Sequence, residues 1–105
     1  MHDPQALTRA AELFRVLGSQ SRLELLLAVT EAPASVSALV ERTGLSQPLV
    51  SQHLRVLRQA GIVTATRTGR EAHYAIADRH IEHVVQDALE HVLEDPARDG
   101  TGHGG

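Results

Sequence analysis

The sequence predicts a mainly α-helical domain with one β-hairpin, arranged as a winged helix-turn-helix with an additional helix at each end. Two observations lead to this fold class. Apolar residues recur at helical spacing in several segments. Two short segments, IVTATR and EAHYAIA, alternate at the period of a strand around a turn at Gly69. The predicted order is therefore helix, helix, short helix, turn, helix, hairpin, helix.

The first two helices are predicted from their apolar spacing and their ends. The first runs from Pro4 to Leu17, and Gly18 follows it. A capping box of Ser21 and Glu24 predicts the start of the second helix, RLELLLAV, which stops before Pro33. Together these helices precede the segment with the strongest functional pattern.

A helix-turn-helix is predicted next along the chain. Ser37 is expected to cap a short third helix, ALVERT, which Gly44 closes. Ser46 then caps a fourth helix with Pro48 in its first turn, and Gly61 ends it. Two helices joined by a short turn that contains glycine are the geometry of this DNA-binding motif.

The fourth helix and the hairpin carry side chains suited to DNA. Amides, short hydroxyls and arginine are the groups that read base edges in a major groove, and hairpin arginines meet phosphates. Residues 46–77 hold four arginines against one glutamate, whereas residues 78–105 hold seven acids against two arginines. A solvated polar face of an ordinary amphipathic helix is the simpler alternative. The predicted DNA-binding residues are Gln47, Ser51, Gln52, Arg55, Arg67 and Arg70.

Composition restricts the class of protein further. The chain has 105 residues, no cysteine and 2% aromatic residues, so disulfides and thiolate metal sites are excluded and the core is small. A domain with so small a core is a candidate for additional stabilisation by oligomerisation or by a bound metal. No apolar run has the length of a membrane span and no signal peptide opens the chain, which predicts a cytoplasmic protein. Residues 1–95 are expected to form one DNA-binding and dimerisation domain, and residues 96–105 a disordered tail.

The last predicted helix has an unusual polar side. Asp78 caps it, and Asp95-Pro96 ends it. At 100° per residue, His80, His91 and Glu94 lie within about 60° of one another around the axis. The opposite side is continuously apolar and consists of Ile81, Val84, Val85, Ala88, Leu89, Val92 and Leu93.

One copy of this helix cannot gather these ligands at one ion. Eleven residues separate His80 from His91 by about 16 Å, whereas zinc holds nitrogen and oxygen ligands at about 2.0–2.2 Å. If two copies pack antiparallel, Asp78 and His80 of one chain lie beside His91 and Glu94 of the other. The pattern thus predicts a homodimer with one four-ligand zinc site at each end of the helix pair.

Several segments resemble the ArsR/SmtB family of bacterial metal-sensing repressors. They are LFRVLGSQSRLELLLAV, LSQPLVSQHLRVLRQAGIVTATRTGREAHYAI and the last helix, and the similarity spans about residues 7–95. The resemblance implies a dimeric winged-helix repressor that binds an inverted-repeat DNA operator and leaves it when metal binds. D-x-H followed by H-x-x-E is similar to the ligand pattern of the family's zinc-sensing branch, and it maps onto Asp78, His80, His91 and Glu94. The family's cysteine-bearing site would fall near residues 35–38, which read SVSA.

Alternatives remain for the individual residues and for the metal. Asp78 alone is most simply a helix cap, and each histidine alone is most simply solvated; His83 matches no family ligand. Nickel or cobalt favours six ligands and would recruit additional histidines, with His2 or His103 as candidates. A winged-helix regulator that senses no metal is a further alternative. A hydrolytic zinc enzyme acting on a small organic substrate is disfavoured, because four protein ligands close the coordination shell.

Overall fold

The computed structural model describes residues 2–94, which form five helices and a two-stranded antiparallel sheet. This confirms the predicted fold class and the order of its elements. The predicted helix end at Asp95-Pro96 and the predicted tail lie outside the described residues. No helix within residues 2–94 has both the length and the apolar character needed to cross a membrane. The elements are α1 Pro4–Leu17, α2 Gln20–Glu31, α3 Val36–Thr43, α4 Gln47–Gln59, β1 Val63–Thr68, β2 Glu71–Ile76 and α5 Arg79–Leu93.

Two predicted helix caps are wrong by two residues. The α2 cap is Ser19, whose hydroxyl accepts a hydrogen bond from the Arg22 amide, so Ser21 already lies inside the helix. The α3 cap is Ser35, which accepts from the Ala38 amide. In each case two serines stand at a spacing of two; the first has the extended backbone of an N-cap, and the second already lies inside the helix.

The hairpin differs slightly from its predicted bounds and makes an additional contact. The strands cover residues 63–68 and 71–76, one residue away from the predicted limits, and Val63 pairs with Ile76. Gly69 has a positive φ of 64°, as its predicted turn requires. Tyr74 also exchanges both backbone hydrogen bonds with Ala34, at 2.8 and 3.0 Å. The segment before α3 therefore ties the hairpin to the helix-turn-helix.

The buried residues form two clusters, and α4 contributes to both. Val50 and Leu54 pack with Leu25 and Leu39 inside the helix-turn-helix. Leu57 belongs to the other cluster, which joins α4 to α1, α2, β1 and α5. The members of this α4–α5 cluster are Val16, Leu17, Leu26, Leu57, Ile62, Val63, Ile81 and Val85. The two clusters fix the position and rotation of α4 in the domain.

The two terminal helices leave apolar side chains on the surface. Only Val16 and Leu17 of α1 are buried, although its apolar spacing extends back to Leu7. Phe14 is 60% exposed and Leu93, in α5, is also 60% exposed. A helix normally packs its apolar stripe against the rest of the protein. The residues of this exposed apolar face are Leu7, Phe14, Ala88, Val92 and Leu93.

Candidate functional site

The polar side of α4 is presented to solvent because its other side is buried. Val50, Leu54 and Leu57 are 0–1% exposed, which orients the helix. The Ser46 hydroxyl accepts from the Leu49 amide and fixes the first turn. All four predicted DNA-reading residues of this helix are exposed: Gln47, Ser51, Gln52 and Arg55. The side chains available for base edges thus project from one rigid element.

The hairpin presents its two arginines next to the turn. Arg67 and Arg70 are exposed, and an Arg67 Nη1 atom donates a hydrogen bond to the Arg70 carbonyl at 3.2 Å. This contact crosses the turn at Gly69 and keeps both cations at the tip of the hairpin. Cations at this position suit a wing that contacts the phosphate backbone.

An open groove of about 630 Å³ lies between α4 and β2. It contains Arg55, which was predicted from the sequence to bind DNA. It also contains Arg58, which was counted among the arginines of residues 46–77 but was not predicted to bind DNA. Arg58 follows Arg55 at i+3, so its position on the same side could have been read from the helical period. Tyr74 was assigned only to the alternation of β2. The lining residues are Ser51, Leu54, Arg55, Arg58, Gln59 and Tyr74.

His53 lies on the side of α4 that faces α2 and is half-buried. Its Nδ1 atom accepts a hydrogen bond of 3.4 Å from Nε of Arg22. An Nη1 atom of Arg22 also donates to the Val16 carbonyl at 3.1 Å. Burial of the ring and the adjacent Arg22 charge lower the pKa of His53. This contact was not foreseen from the sequence, because its residues are 31 positions apart.

The first predicted ligand pair lies together at the start of α5. The Nδ1 atom of His80 is 3.7 Å from Oδ1 of Asp78, and the His80 side chain is 95% exposed. The same Asp78 oxygen accepts from the Ile81 amide at 3.1 Å, which confirms the predicted helix cap. Its second carboxylate oxygen makes no hydrogen bond to residues 2–94, and the Asp78 side chain is 55% exposed.

The second predicted ligand pair lies at the other end of the same helix. His91 and Glu94 are both exposed, one turn apart. Within residues 2–94 of one chain, no three histidine or acidic side chains come together as a metal site. Each chain therefore presents two separate pairs of nitrogen and oxygen donors. His83 and His2 are exposed, and within residues 2–94 neither completes a group of three possible metal ligands with either pair.

Known proteins resemble this chain in sequence. The family model described as bacterial regulatory protein, arsR family, matches residues 19–65. The HTH-type transcriptional repressor SmtB of Mycobacterium tuberculosis is 44% identical over 91 residues, which cover 87% of this chain and 67% of that protein. The HTH-type transcriptional regulator NmtR of the same organism is 36% identical over 89 residues, which cover 85% and 74%. These relatives are transcriptional regulators and not enzymes.

Solved structures share the fold. A homodimeric winged helix-turn-helix DNA-binding domain from Mycobacterium bovis has a TM-score of 0.80 at 24% identity and covers 91% of each chain. HlyU from Vibrio cholerae has a TM-score of 0.76 at 26% identity and covers 88% of this chain and 98% of its own. With its α4 and wing geometry and its sequence relatives, the chain belongs to the ArsR/SmtB family of DNA-binding transcriptional regulators.

Proposed function

We propose that this regulator is a zinc-responsive repressor. Two chains form a homodimer that binds an inverted-repeat operator through α4 and the hairpin, and zinc binding between the two α5 helices lowers the affinity for DNA. The single observation that carries the proposal is the pair of exposed donor sets at opposite ends of α5, beside an exposed apolar face. The SmtB relative is named a transcriptional repressor, which supports repression rather than activation.

The exposed apolar face supports the homodimer. Phe14 of α1 lies beside Val84 and Ala88 of α5 around a shallow, largely apolar depression. Solvent exposure of such side chains is unfavourable, and their burial against a second copy removes apolar surface from water. A two-fold interface contains every such residue twice, so the apolar area buried in the dimer is twice that of one face.

The residues of α5 fit zinc in their chemistry. Imidazole nitrogen and carboxylate oxygen are ligands that zinc accepts, and four protein ligands complete a closed tetrahedral site. Asp78 and His80 of one chain with His91 and Glu94 of its mate supply that number. When bound, the ion supplies a cross-link between the two α5 helices. The Asp78 carboxylate can serve because its cap to Ile81 uses one oxygen only.

A displacement of α5 acts on the DNA-reading helix through buried contacts. Ile81 and Val85 of α5 pack in the same cluster as Leu57 of α4. The Ala77 amide, two residues before α5, donates to the carbonyl of Ile62, three residues after α4, at 2.9 Å. Because packed clusters transmit small shifts rather than absorb them, a new α5 position changes the presentation of α4. A coupling of about 1–3 kcal/mol is typical of such regulation.

The test is fluorescence anisotropy on DNA from upstream of the gene that encodes the protein. Affinity is measured at one fixed salt concentration, with zinc and then with chelator, since phosphate contacts make DNA affinity steeply dependent on salt. We expect zinc to weaken binding by about 5–150-fold and chelator to restore it. Specific binding that is indifferent to zinc would leave a DNA-binding regulator and eliminate the zinc sensor.

Variants on α5 separate ligands from other polar residues. His91→Ala should abolish the zinc response and leave metal-free DNA binding intact. His83→Ala is the matched control, since it removes an exposed imidazole of the same helix that belongs to neither donor pair. Absorption spectra of the cobalt-substituted protein distinguish four ligands from six. A six-coordinate spectrum would favour nickel or cobalt as the sensed metal.

A further inference from the structure

Arg22 is in contact with three helices at once. It lies in the first turn of α2, and its guanidinium donates to the last turn of α1 through the Val16 carbonyl and to α4 through His53. Arginine suits such a junction because its donors lie in a fixed planar fork. The bond to His53 is the one side-chain hydrogen bond between α4 and another helix within residues 2–94.

The junction lies on the side of α4 opposite the groove that faces β2. Apolar packing at Val50, Leu54 and Leu57 holds the inner side of the helix against rotation and sliding, but through contacts that have no preferred direction. A hydrogen bond is directional and restricts both. His53 directly follows Gln52, one of the residues predicted to read bases, so a rotation about the helix axis at His53 moves Gln52 with it.

We propose that Arg22 is a positioning residue for DNA binding, which holds the recognition helix α4 at the α1–α2 junction through Nδ1 of His53. Neither residue needs to touch DNA in this role. Because α1 also contributes Phe14 to the exposed apolar face, the same arginine links the proposed dimer interface to the DNA-reading helix. The inference rests on DNA binding by α4 and is independent of zinc.

The contact exists only while His53 is neutral. Its Nδ1 atom accepts a hydrogen bond from Arg22, so the proton of the neutral ring is on Nε2; a protonated ring has no acceptor and places a second cation beside the guanidinium. Arg22 is the charged group that acts on His53 from α2, and the charges of α1 nearest the junction, Glu12 and Arg15, pair with each other. Operator affinity should therefore fall as the pH is lowered.

The stability of the fold should fall in the same direction of pH as the operator affinity. Because the pKa of His53 is lowered in the folded protein, the unfolded chain binds the proton more tightly. The stability is fully present above the unfolded pKa of about 6.5 and is lost as the pH falls below it.

The experiment uses the full-length protein with chelator and DNA from upstream of its gene, at constant ionic strength. Arg22→Met keeps the length of the side chain without its donors to His53 and Val16. We expect about tenfold weaker DNA binding from the loss of the His53 contact, one hydrogen bond of a charged group. His53→Asn places an amide oxygen near the position of Nδ1, so we expect affinity within about twofold of the wild type at about pH 7.5. His53→Leu removes the acceptor and should weaken binding as Arg22→Met does.

The pH dependence of DNA affinity and a double-mutant cycle distinguish the proposed positioning role of Arg22 from a general role in stability. Between about pH 7.5 and about pH 5.5 the wild type should lose affinity that His53→Asn retains. His73→Asn, in the hairpin, is the control and should keep the wild-type profile. The Arg22→Met, His53→Leu double variant should bind no more weakly than either single variant, with folding checked by thermal melts.

Three results would overturn the inference. They are Arg22→Met binding within about twofold of the wild type, a His53→Asn profile as steep as that of the wild type, and additive effects in the double variant. If the wild-type protein does not bind this DNA at all, the result instead contradicts the function proposed above.

Discussion

Replacement of Phe14 by alanine tests the homodimer directly. Phenylalanine has about 150–250 Å² of surface, and 60% of Phe14 is exposed in the single chain. About 120 Å² is thus open to solvent, which corresponds to about 3 kcal/mol at about 25 cal/mol per Å². Alanine retains part of this contact, so we assign about 2 kcal/mol to each copy. A two-fold interface contains the residue twice, which predicts a loss of about 4 kcal/mol, or about a thousandfold in the dimer dissociation constant.

Sedimentation over a dilution series measures that constant. Glu12→Ala is the matched control, because Glu12 lies on the other side of α1 and pairs with Arg15 in the same chain. Phe14 makes few contacts within its own chain, so circular dichroism of the variant at high concentration should match that of the wild type. A Phe14→Ala protein that remains as tightly dimeric as the wild type would refute the assignment of this face to the interface.

Three further predictions follow from the site and the core. Arg55→Ala should weaken DNA binding and reduce the slope of log affinity against log salt by about one if Arg55 neutralises a phosphate, as titration at several salt concentrations would show; an unchanged slope contradicts that contact. Leu57→Ala should destabilise the fold by about 2–5 kcal/mol in denaturant melts, because Leu57 is fully buried where α4 meets α5. Asp78→Asn should keep the helix cap but weaken zinc binding, whereas Asp78→Ala should also cost about 1 kcal/mol of stability; equal melting temperatures would show that the cap contributes nothing.

The local sequence was sufficient for most of the fold. Apolar spacing and end signals predicted α1 and α4 with their observed starts, and Gly69 predicted the turn of the hairpin. These features depend on neighbouring residues only, through capping, backbone conformation and helical period. The two misplaced caps, predicted at Ser21 and Ser37 but observed at Ser19 and Ser35, show the limit of local signals, because both serines of each pair have the side chain of a good N-cap.

For the candidate site, too, some features follow from the local sequence and others only from the tertiary structure. The sequence by itself determined which side of α4 is polar, and that the donors of α5 form two pairs too far apart for one ion, because both follow from helical geometry alone. Tertiary structure decided that Arg22 reaches His53, that Arg58 and Tyr74 line a groove, and that 60% of Phe14 stays exposed in its own chain. These facts depend on how separate elements pack, and no period along the chain encodes the distance between residues that lie far apart in sequence.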